Sequence, residues 1–274
     1  MSKKERCFCG SGKASKNCHR VVPDSRAAHL FNVYEQVETT VESYFKHTDT
    51  SHQCFTGCSN CCSDFFTVSE VELEIIMDEI HTTWTEQEII NLYKKVMDNV
   101  RAFQAEHPDL DNAIHTQLDY EGDLSKFKLF KNGKTRTSFP CPLLDQENEK
   151  CSVYNKRPMI CRTHGTTHFE LEAKFNSAES TVCEHIPSRL QNNVVTPDVT
   201  DLQTKYDEVV NVSTKQELLY IRKMPLFYGI HTFASIQRYN PAKPTVVNRH
   251  NLDVSIKESN LMQLKKAATM KSAR

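Results

Sequence analysis

All eleven cysteines of this chain fall in, or just beyond, three clusters. The first is Cys7-x-Cys9-x8-Cys18-His19, the second Cys54-x3-Cys58-x2-Cys61-Cys62, and the third Cys141-x9-Cys151-x9-Cys161, with Cys183 trailing it. Scattered cysteines are usually packing residues, whereas clustered ones are usually ligands. Close spacing lets one turn of chain offer several sulfurs to a soft or borderline metal ion. Any fold must therefore bring these loops to defined points and cannot treat them as free connections.

Composition bears on what else the chain can be. At 274 residues it is long enough for one or two domains with their own core. A formal net charge of −1 gives no global field toward nucleic acid or an anionic membrane surface. No stretch approaches the roughly 20 apolar residues of a membrane-crossing helix. The start, Met1 to Arg6, is basic and runs into Cys7 with no apolar segment of the secretory kind. A cytoplasmic location is therefore expected. Thiols stay reduced there, so metal ligation is favoured over a disulfide framework.

Helical periodicity dominates the rest. Leu30, Val33, Tyr34, Val37, Val41 and Tyr44 recur at three- and four-residue steps and predict an amphipathic helix from Ser25 to about Lys46. Ser69-Glu70-Val71-Glu72 and Thr85-Glu86-Gln87-Glu88 have the capping-box pattern. They predict helices running to about His81 and about Glu106, the second stopped by His107-Pro108. Residues 109–130 read as helix or irregular. Asn132-Gly133 predicts a turn with a short hairpin at most. Thr166 to Ala173 is a candidate strand, and Asp201 to Met224 a further helix ended by Pro225. The fold expectation is mainly α: a helical cysteine-cluster domain with irregular metal-bound loops over 21–235 (motif core about 50–190). A small zinc knuckle over 1–20 precedes it, and a polar, partly disordered tail over 236–274 follows.

The N-terminal run Cys7-Phe8-Cys9-Gly10-Ser11-Gly12-Lys13, closed by Cys18-His19, resembles the SEC-C zinc-binding motif. The resemblance implies Zn²⁺ held by Cys7, Cys9, Cys18 and His19, and by analogy alone it suggests a protein or ribosomal partner for the knuckle. Three thiolates and an imidazole make a closed tetrahedral site of the structural kind, with no open position for catalysis. So small a module draws its folding free energy from the metal.

The second and third clusters, with the run Cys151-Ser152-Val153-Tyr154-Asn155-Lys156-Arg157-Pro158-Met159-Ile160-Cys161-Arg162, resemble the YkgJ-type cysteine-cluster family of zinc- or iron-chelating domains. The resemblance covers about residues 50–190. It implies a centre built from Cys54, Cys58, Cys61, Cys62, Cys141, Cys151, Cys161 and Cys183. Two four-sulfur zinc sites, or one iron or iron–sulfur centre with spare ligands, both satisfy that count. Charge does not separate them, because Zn²⁺ and a [4Fe–4S]²⁺ cluster each carry −2 with four thiolates. Pro142 after Cys141 repeats the Cys-Pro step of ferredoxin motifs. Cys61 and Cys62, if extended, diverge and serve different centres, or one of them only lines the site.

His164, His168 and His185 lie near cysteines but read first as surface or supporting residues. Arg157 and Arg162 read equally as neutralisers of thiolates or as clamps for an anion. Tyr154 and Trp84 read as packing. No glycine-rich nucleotide loop and no Ser-His-Asp arrangement is present, so no catalytic residue is assigned. Three functions compete: a metalloprotein with a redox or protein-modifying role, a non-enzymatic adaptor docking through the knuckle, and a relative of flagellin lysine methylases, which carry a similar cluster linked to an iron–sulfur centre. The chain is short for the last and has no recognisable S-adenosylmethionine loop.

Overall fold

Both capping boxes form, and the helices they start frame the molecule. In the computed structural model, residues 21–48, 57–117, 120–133, 135–164, 166–167, 197–211, 223–236, 250–253 and 255–256 are described. The expected N-terminal knuckle, Cys54, His168, Cys183 and His185 lie outside them.

The helices are α1 (Arg26–Thr48), α2 (Glu70–Thr83), α3 (Glu86–Glu106), α4 (Pro108–Thr116), α5 (Met159–Thr163), α6 (Thr200–Asn211), α7 (Leu226–Ile236) and α8 (His250–Asp253). Strand is confined to two short antiparallel pairs: β1 (Thr67–Val68) with β4 (Met224–Pro225), and β2 (Leu144–Asp145) with β3 (Lys150–Cys151). Helix thus dominates the described residues, as the periodicity predicts.

Local chemistry explains the boundaries. Ser25 accepts from the Ala28 N–H and caps α1. Ser69 and Thr85 cap α2 and α3, with Glu72 and Glu88 returning to the cap N–H. His107 closes α3, and Pro108 opens α4 at the first helical position, where its missing N–H has no helical partner to lose.

Helix α2 is the central element. Val71 to Asp78 and Ile80 are all buried, so it is wrapped on every side rather than amphipathic. Leu73, Ile76, Met77 and Ile80 pack with α3, α4 and α7 into one apolar core. Val71 and Ile75 face a second core with α1, α6, α8 and Met159. Gly229 of α7 permits the close approach to α2, since a Cβ there would meet Leu73 Cδ1 and Cδ2 at 3.2 and 3.1 Å.

Four expectations change. Asn132-Gly133 ends a 3₁₀ helix, Lys128–Gly133, and among the described residues no hairpin forms there. The helix expected over Asp201 to Met224 is present over Thr200–Asn211, whereas Met224–Pro225 is a strand held by β1. Thr166 and Thr167, expected to begin a strand, instead donate their N–H groups to Thr163 O at 3.1 and 3.2 Å, continuing the α5 turn. Within the expected polar tail, Asn251 and Leu252 of α8 are buried. Asn251 N–H donates to Glu74 at 2.9 Å, and Arg26 donates to Asn251 Oδ1 at 2.9 Å.

Candidate metal centre

Three chain segments deliver thiols to one cavity, and each does so by ordinary backbone chemistry. Gly57, at φ +102°, turns the chain into Cys58 in a conformation that side-chain-bearing residues rarely adopt. Residues Asn60–Ser63 then form a 3₁₀ turn, so Cys61 and Cys62 are not extended and do not diverge as extended chain requires. Their thiols are hydrogen bonded to each other. The backbone carbonyl of Cys62 accepts the Cys141 N–H, and Thr137 N–H donates to Ser63 O at 2.8 Å. The second cluster is thereby tied directly to the start of the third.

From Cys141 the chain enters the β2–β3 hairpin, which sets Leu144 opposite Cys151. Its turn is organised by Asp145, whose carboxylate accepts from the Glu147 and Asn148 N–H groups. Cys161 sits on α5 beyond Arg157-Pro158, and its N–H donates to Pro158 O at 3.0 Å.

Cys58, Cys61, Cys62, Cys141, Cys151 and Cys161 all line one cavity of about 60 Å³, together with His164, Arg157 and Tyr154. Phe66, Leu143, Val153 and Leu226 form its apolar wall. The six cysteines are free thiols. Among the described residues, no three Cys, His, Asp or Glu side chains are gathered tightly enough to grip an ion as they stand. The sulfurs are distributed around the cavity rather than focused on one point.

The surroundings disfavour thiolate at four of them. The hydrogen bond that the Cys61 thiol donates to Cys62, then burial, drives Cys61 well above its ordinary value. Burial pushes Cys141, Cys151 and Cys161 up, and neighbouring cysteines add to it. Each is thus favoured as a neutral thiol. Three features oppose this. Leu143 N–H donates to Cys141 and Val153 N–H to Cys151, both two residues ahead of the sulfur, and the Arg157 guanidinium favours thiolate at Cys151 and Cys161. A cation in the cavity would reverse the burial penalty outright, because a coordinated thiol is deprotonated. The donor set therefore fits a thiophilic metal.

The surrounding residues sort by their contacts. Arg157 stacks on Tyr154 with Cζ 3.6 Å from the ring centre and donates Nε–H to Tyr154 O at 3.0 Å, so Tyr154 shapes the cavity as well as packing. Arg162 is engaged within the chain. It is buried, paired with Glu38 of α1, and donates to the Asn155 and Arg157 carbonyls at 2.8 Å each. His164 has Nε2 3.7 Å from Asp64, and burial lowers its pKa while Asp64 opposes the shift. Trp84 packs on the first core.

The sequence marked every described cysteine and placed Glu72 in a capping box, but not its burial: it is only 1% exposed and accepts five hydrogen bonds beside this cavity.

Residues 53–184 match the CxxCxxCC family, whose description reads "Putative zinc- or iron-chelating domain". The match covers just under half of the chain's length and leaves out residues 1–20. No curated protein and no solved structure matches the chain. No helix among the described residues is long and apolar enough to cross a membrane.

Proposed function

We propose that this protein is a metal-binding protein whose central cavity is a thiolate centre for zinc or iron, iron–sulfur clusters included. One observation carries the reading. Six cysteines from three separated segments line a single cavity, with backbone N–H groups and Arg157 placed to favour thiolates. Cys58, Cys61, Cys62, Cys141, Cys151 and Cys161 are the candidate ligands, with Cys54 and Cys183 as the family-implied additions and His164 as the nitrogen donor on the same wall. Six sulfurs exceed the four that close a tetrahedral ion. The excess suits a polynuclear centre or one with ligands to exchange. When bound, the metal would supply either a fixed structural charge or an electron-accepting cluster.

The chain's own residues hold the loops in register, keep one wall apolar, and place a guanidinium against the buried negative charge. The N-terminal Cys7, Cys9, Cys18 and His19 are proposed as a separate zinc knuckle that docks a protein partner.

The test is elemental analysis with a visible spectrum on anaerobically purified full-length protein, beside Cys141→Ser, Cys161→Ser and Cys7→Ser variants. Cys7→Ser is expected to lose one zinc and nothing else. The cavity variants are expected to lose the second metal, with visible absorbance if it is iron–sulfur. A second metal unaffected by either cavity variant, or none in the parent protein, sinks the reading.

A further inference from the structure

We propose that Glu72 is a positioning residue for the thiolate centre, holding the segment that presents Cys161. This inference rests on the metal-binding reading above. Burying a carboxylate is unfavourable unless its oxygens are fully hydrogen bonded. Glu72 meets that condition with donors from four places in the chain. Its Oε2 accepts from Ser69 N–H, Ser69 Oγ–H and Tyr206 O–H, each at 2.8 Å. Its Oε1 accepts from Met159 N–H at 2.8 Å and Tyr34 O–H at 3.1 Å. None of these donors is a cation. The capping box accounts for the Ser69 pair alone. The other three bonds reach α1, α5 and α6.

The Met159 bond is the informative one. Met159 is the first residue of α5, so its N–H has no partner within its own helix. Cys161 lies two residues further along that short helix. The same loop is held on its other side by Arg162, which binds the carbonyls of Asn155 and Arg157 and is anchored by Glu38. Residues 155–162 are thus fixed between a carboxylate on α2 and a guanidinium tied to α1, leaving the Cys161 sulfur little freedom of placement. Supporting hydrogen bonds of this sort commonly decide metal affinity by roughly 10- to 100-fold. The carboxylate's charge works against thiolate at Cys161, so position and charge predict opposite signs on its removal.

The experiment compares Glu72→Gln with Tyr206→Phe, each in full-length protein carrying Cys7→Ser and Cys9→Ser to silence the knuckle. Cobalt(II) is titrated against a competing chelator while its thiolate charge-transfer and ligand-field bands are recorded, and melting temperature is measured alongside. Both variants are expected to melt lower. Glu72→Gln alone is expected to weaken cobalt binding by about tenfold or more and to alter the bands, with Tyr206→Phe staying within about twofold of the parent. Where the glutamine variant does not fold, Glu72→Asp, which keeps the charge but retracts the oxygens from Met159, carries the same expectation. Unchanged or tighter cobalt binding overturns the proposal, as does equal weakening in both variants, which would make the effect one of stability. A parent protein that binds no cobalt in the cavity overturns the metal reading and this inference with it.

Discussion

The capping boxes of α2 and α3 use nearly the same residues and the same hydrogen bonds, yet they do different work. Ser69 and Thr85 each receive the third helical N–H, and Glu72 and Glu88 each return to the cap. Glu88 is exposed, and its contacts end within its own box. Glu72 is enclosed by Tyr34, Tyr206 and Met159 N–H. The difference lies in what surrounds each helix start. Helix α3 begins at the surface, whereas α2 begins where two apolar cores and the thiol-bearing loop meet. A motif that merely starts a helix in one place becomes a junction in the other.

Removing the junction should have the largest effect. Glu72→Ala leaves the Tyr34 and Tyr206 hydroxyls and two backbone N–H groups without their acceptor, at about 1 kcal/mol or more each, so a loss near 4 kcal/mol is expected. Urea unfolding of this variant checks it. A loss under about 1 kcal/mol would place Glu72 in the same class as Glu88.

Glu74, one residue beyond Leu73 on the same buried helix, sharpens the contrast through pH. Burial pushes its carboxyl up to about 8, against the favourable N–H of Asn251. The folded protein then holds a proton that the unfolded chain releases. Stability from this group is complete below the unfolded value of about 4.3 and is lost as pH rises, the loss being complete once pH passes about 8. Glu74→Gln is expected to flatten the melting temperature across pH 5–8. An unchanged slope would assign the pH dependence elsewhere.

The smallest effects belong to the caps themselves. Ser69→Ala is expected to cost about 2 kcal/mol and Thr85→Ala about 1 kcal/mol, the upper and middle of the range for such caps. Equal losses would mean that burial adds nothing to the cap.

These residues also mark how far the sequence is readable. Helices α1, α2 and α3 follow from short-range signals, apolar spacing and capping boxes, and the structure places them within a few residues of expectation. Helix α7 was not legible. Leu226 to Ile236 is short, and it starts directly after a proline that reads as an ending. The convergence of the second and third clusters was legible from cysteine chemistry, since thiols so grouped are seldom idle. The shared turn of Cys61 and Cys62 was not, because local spacing does not distinguish 3₁₀ from extended chain. The burial of Glu72 was not either, because it depends on Tyr34 and Tyr206, 38 and 134 residues away.

The dispersal of the cavity thiols along the chain has a consequence for how the protein is made. About a hundred residues separate Cys58 from Cys161, so at roughly 5–20 residues per second the last thiol leaves the ribosome on the order of 5–20 s after the first. During that interval α2, α3 and α4 are synthesised while Cys58, Cys61 and Cys62 wait without their partners. The cavity can close only after the β2–β3 hairpin and α5 have followed, which makes metal capture a late step in this chain's biogenesis and leaves the early thiols dependent on a reducing environment until then.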